Sequence, residues 1–217
     1  MKQITLLALL ALCSLTLLAQ KRQACTVEYE TGEKQNYYFD GKLVNLFGFD
    51  YKSTLTFYSY LSSEKIKVKI EEIKEITLTN EEEESSTVIF AKAYKGTPLG
   101  KPSKNLSEKS PFLVLYRDDD ITLAKQRVIV TDQTTTTYDY YYFLKKGEIY
   151  PKFILVEAVG GTIGWETAWK NSLARYFEDC PPLVTRIKNG EFNVKYKDFG
   201  IENLIKLYKV YLSYQKK

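Results

Sequence analysis

Three stretches of this chain carry residue types whose spacing could do chemistry. Gly160-Gly161 and Gly164 lie between an apolar run and a Trp-containing segment. Glycines at a helix start can let backbone N–H groups approach a phosphate. The spacing here is G-G-x-x-G without alternating strand and helix patterns, so a flexible strand-to-helix joint is the better account. Asp118-Asp119-Asp120 could offer oxygen ligands to calcium, but no alternating ligands, central glycine or closing glutamate follow. An acidic turn is expected instead. The third stretch is Tyr138-Asp139-Tyr140-Tyr141-Tyr142-Phe143. Tyrosine joins a rigid apolar ring to a polar tip, which suits sugars and protein partners. Strand alternation puts Tyr138, Tyr140, Tyr142 and Leu144 on one face, read as core. It leaves Tyr141 as the exposed ring and the candidate ligand contact.

Other constellations are weaker. Glu157 and Glu166 flank the glycine joint and are the first candidates for a carboxylate pair of the glycosidase kind. Asp198-Phe199-Gly200 spells a kinase tripeptide, but the histidine-containing catalytic loop and the glycine-rich loop that would accompany it are missing. The aspartate reads as a helix cap. Trp165 and Trp169, four apart, read as the buried stripe of a helix.

Composition narrows the chemistry further. The chain has no histidine, so triad catalysis with an imidazole base and histidine-ligated metal sites are excluded. Any catalysis would rest on carboxylates, lysine, tyrosine or oxygen-bound cations. No catalytic, cofactor-binding or metal-ligating residue is assigned, and no cofactor is expected. The net charge of +4 is spread over interleaved signs, which gives no reason to expect a nucleic-acid partner.

The first residues read as an address. Met1-Lys2 starts positively, residues 4–18 are almost wholly apolar, and Leu17-Leu18-Ala19 precedes Gln20-Lys21-Arg22. This predicts a secretory signal peptide over 1–19, cleaved after Ala19. Lipidation at Cys25 and an uncleaved anchor are the alternatives. The apolar run is shorter than the ~20 residues of a membrane span, so no transmembrane segment is expected in the mature chain. Export to the periplasm, cell envelope or extracellular space follows. In that setting Cys25 and Cys180 could form a disulfide, stapling the first strand to the carboxy-terminal helices; two separate buried thiols are the other reading.

The elements that must position these residues fall into two patterns. From Cys25 to about Val156 the period is two. Segments 26–31 and 35–40 flank a Gly32-Glu33 turn. Ile66, Val68 and Ile70 alternate with Lys65, Lys67 and Lys69, giving one core face and one solvated lysine row. Residues 81–84 read as an acidic loop and 95–111 as a mobile one. Segments 112–117, 121–130 and 138–144 continue the sheet. Lys145-Lys146-Gly147-Glu148 is a turn, and 149–156 should return antiparallel. After Gly161 the period becomes 3.6. One helix buries Trp165, Ala168, Trp169, Leu173, Tyr176 and Phe177. Pro181-Pro182 opens a short helix ended by Asn189-Gly190. A last helix should bury Ile201, Leu204, Ile205, Tyr208 and Leu212. The expectation is an α+β fold: an antiparallel β-rich body over 20–160, and two to three carboxy-terminal helices over 161–217 packed on it as one domain.

Three stretches are also similar to a family of uncharacterised secreted Bacteroidota proteins. They are the leader ending Leu18-Ala19 before Gln20, Phe112-Leu113-Val114-Leu115-Tyr116 with the tyrosine-rich hairpin after it, and Tyr176-Phe177-Glu178-Asp179-Cys180-Pro181-Pro182-Leu183. Asp179-Cys180-Pro181 is the most specific of these. Relatives often end the last helix with Tyr-Asn, where this chain has Tyr208-Lys209. The resemblance implies location and architecture, and no activity. The expected role is a non-catalytic binding or structural module for protein or glycan. The alternatives are a carboxylate-dependent hydrolase and a lipid carrier with a cavity under its helices.

Overall fold

A computed structural model describes residues 22–40, 53–62, 64–79, 85–96, 102–131, 135–158, 165–192 and 201–215. The leader 1–19, the acidic stretch 81–84, the glycine joint 160–164 and the tripeptide 198–200 lie outside the described residues. Strands come first and helices after, so the fold is α+β. The described residues form two compact units, parted between Ser86 and Thr87.

The first unit contains β1 (Gln23–Tyr29), β2 (Lys34–Phe39), β3 (Thr54–Ser59), β4 (Lys65–Lys69) and β5 (Ile73–Thr79), in the order β4-β3-β2-β1-β5. Each neighbouring pair is antiparallel. Gly32, at φ +85°, makes the turn between β1 and β2, a conformation that costs a side-chain-bearing residue strain. Val27, Phe57, Ile73, Ile76 and Leu78 are fully buried and form the inner face. The alternation along β4 holds: Val68 is buried, and Lys65, Lys67 and Lys69 are exposed.

The second unit holds β6 (Ser85–Ala91, from Thr87 on), β7 (Tyr94–Gly96), β8 (Pro102–Leu106), β9 (Ser110–Arg117), β10 (Ile121–Thr131), β11 (Thr135–Lys145) and β12 (Lys152–Ala158). Helices α1 (Trp165–Tyr176), α2 (Pro181–Lys188) and α3 (Ile201–Gln215) belong to the same unit. The strand order is β6-β9-β10-β11-β12-β7-β8. All described pairs here are antiparallel except β12–β7, which is parallel through Lys152 and Tyr94. The segment expected to be a mobile loop contributes β7 and β8, which pair at Tyr94–Leu106 and Gly96–Pro102. Pro102 is tolerated because it is the first residue of a strand at the end of the order.

The strands of the second unit contribute to two core clusters. Ile121, Leu123, Phe143, Ile154 and Leu155 lie under the helices with Trp169, Leu173, Phe177, Leu183, Leu204 and Leu207. Phe112, Ala124, Tyr140, Tyr142, Phe153 and Val156 pack together as a separate cluster. Helix α1 is fastened by the Trp169 Nε1–H, which donates to the Val156 carbonyl at 2.6 Å, and by the Ser172 hydroxyl on the Ile154 carbonyl. Helix α3 is rotated from the expected face. It buries Leu204, Leu207, Tyr208 and Tyr211, while Ile201 is 38% exposed. Its inward side follows the tyrosine hydroxyls, which find polar partners at the sheet end.

Candidate functional site

Tyr141 is not the exposed ring that alternation suggested. It is half-buried against the helical core, on the same face as fully buried Phe143. One-sided alternation fails here because the helices cover the face that would otherwise meet solvent. Cys25 and Cys180 are both buried, free thiols, Cys25 on β1 of the first unit and Cys180 ahead of α2 in the second. Burial pushes the Cys25 thiol up to about 12, against a smaller lowering by its backbone hydrogen bond to Tyr37.

The acidic turn is confirmed as a local device. Asp118 Oδ1 accepts the N–H groups of Asp120 and Ile121 at 2.9 and 3.0 Å, and Oδ2 accepts the Tyr116 hydroxyl at 2.7 Å. The Tyr116 bond and these backbone donors outweigh burial and hold its carboxyl below the usual range. Glu166 pairs with Lys170 at 2.9 Å along the turn of α1. The side chain of Glu157 lies outside the described residues. Among the described residues no cluster of three or more His, Cys, Asp or Glu could hold a metal ion.

Two groupings of side chains were missed by sequence reasoning. One is enclosed. Lys145 closes β11, and its amine donates to the Tyr211 hydroxyl at 3.2 Å beneath the Tyr211 and Tyr176 rings, at 4.3 and 5.1 Å. The Tyr211 hydroxyl donates in turn to Asp179 at 2.5 Å. Phe143 meets Tyr176, Phe177 and Tyr208 in the same cluster. The Tyr176 hydroxyl is buried without a partner among the described residues. Burial lowers the Lys145 pKa more than Asp179 and Glu148 raise it. A lysine poised this way is a base or nucleophile where substrate can reach it. This amine is committed to Tyr211 and roofed by two rings, so the arrangement acts first as a clamp. It ties α3 to the end of β11 and to the segment after α1.

The other grouping is open. On the outer face of the first unit Ala24, Tyr38, Tyr58 and Lys65 stand opposite one another on β1, β2, β3 and β4. Tyr38 and Tyr60 stack at 4.2 Å with their planes 15° apart, and Tyr60 is 46% exposed. Leu61 beside them is 99% exposed. The Arg22 guanidinium lies 3.8 Å over the Tyr58 ring, and the Tyr58 hydroxyl donates to Asp40 at 3.1 Å. Tyr58 is itself buried, so the rings that meet solvent on this face are Tyr38 and Tyr60, and the strand register puts Thr54 and Thr56 on the same face. The i, i+2 spacing of Tyr58 and Tyr60 was the available signal, but Tyr38 joins them only through strand register. Searches of protein-family models, curated proteins and solved structures find no match to this chain.

Proposed function

We propose that this chain is an exported, non-catalytic binding module of the cell envelope, taking a protein or glycan on the outer face of its first unit. The observation that carries the reading is the stacked, half-open Tyr38–Tyr60 pair with Leu61 fully exposed at its side. Large apolar groups are seldom left together in water without a use. A tyrosine pair supplies broad contact area at small conformational cost. The leader over 1–19 and the resemblance to secreted Bacteroidota proteins support the location.

The rivals draw less support. A hydrolase needs two inward-facing acids in an open cleft. The buried Asp139 instead accepts Arg127 at 2.7 and 2.9 Å and Lys125 at 3.0 Å. A lipid carrier needs space under the helices, where Phe143, Leu173, Phe177 and Leu207 are packed.

Affinity capture from envelope extract, using wild type and Tyr60→Ala as paired baits, tests the reading. Specific retention by wild type and its loss in the variant are expected. Equal recovery on both baits would remove the tyrosine face from the proposal. Fractionation with amino-terminal sequencing should find the exported form starting at Gln20.

A further inference from the structure

We draw no further inference here: the strongest candidate, the open groove that Tyr116 on β9 forms with Glu202, Ile205, Lys206, Lys209 and Val210 on α3, is a partly apolar face lined by charges of both signs, and nothing in the structure shows what covers it.

Discussion

In the first unit Tyr38 and Tyr60 stack in the open, and their neighbours are a cation, a carboxylate and a lysine row. In the second unit Tyr176, Tyr208 and Tyr211 close around Lys145 and Phe143, and their hydroxyls are spent on Asp179, Lys145 and the Asp120 carbonyl or left buried. The residue type is the same, and what covers it decides its work. A ring half in water contributes contact area to whatever arrives. A ring walled in by helices contributes packing, and its hydroxyl must then find a partner inside the protein. The contrast predicts that changes in the enclosed cluster act on stability and changes on the open face act on binding.

The largest effect should come from the centre of the enclosed cluster. Phe143 is fully buried against Tyr176, Phe177 and Tyr208, so Phe143→Ala leaves a cavity that the surrounding helices can only partly fill. A loss of about 3–5 kcal/mol is expected in urea unfolding. A loss below about 1 kcal/mol would mean the helices do not rest on this ring. Next is Asp139, 5% exposed and bonded to Arg127 and Lys125. Burial alone would raise its pKa, and the two cations together hold it below the usual carboxylate range. Asp139→Ala strands two cations, but both reach solvent, so about 2–3 kcal/mol is expected rather than the cost of a fully buried pair.

How much of this was legible in the sequence differs between the two regions. The Lys65–Ile66–Lys67–Val68–Lys69 alternation identified a strand with one wet face, and Pro181 and Gly190 bounded α2 correctly. Local chemistry was enough for these. Tyr141 failed because alternation tells which residues share a face, not what lies over it. The Lys145 cluster was hidden for a related reason. Its turn was recognised from Lys146-Gly147, yet its partner Tyr211 is 66 residues away. No local pattern reports a side chain folded back under a distant helix. The open face failed more narrowly, since each tyrosine was visible and only the register joining β2 to β3 was not.

Alkaline pH should separate the enclosed cluster from ordinary surface phenols. Burial pushes Tyr208 up to about 12, and burial with the Asp179 bond raises Tyr211 further. The Cys25 thiol, at about 12, belongs to the same class of buried acids in the first unit. In the unfolded chain these groups ionise near 9 for Cys and near 10 for Tyr. Folding keeps them neutral, so their contribution is intact below about pH 9 and is lost as pH rises toward 12. Lys145 has the opposite sign, because its lowered pKa favours folding as it deprotonates, but it is one group against several. Tyrosinate absorbance should therefore rise in two stages, the later one coinciding with loss of circular dichroism. A single stage near pH 10 with the fold retained would contradict the enclosure.

The smallest effect on stability should be Tyr60→Ala, and its smallness is what makes it informative. Tyr60 is 46% exposed and its main described contact is the stacked Tyr38 ring. An aromatic pair of this kind contributes about 0.5–1 kcal/mol at an open site. The unfolding midpoint in urea should then shift only slightly, with the slope unchanged. Ligand retention should nevertheless collapse, because the ring removed is the one offered to solvent. If Tyr60→Ala instead destabilises the fold by several kcal/mol, the stack is part of the first unit's framework. Both regions would then use tyrosine for the same purpose.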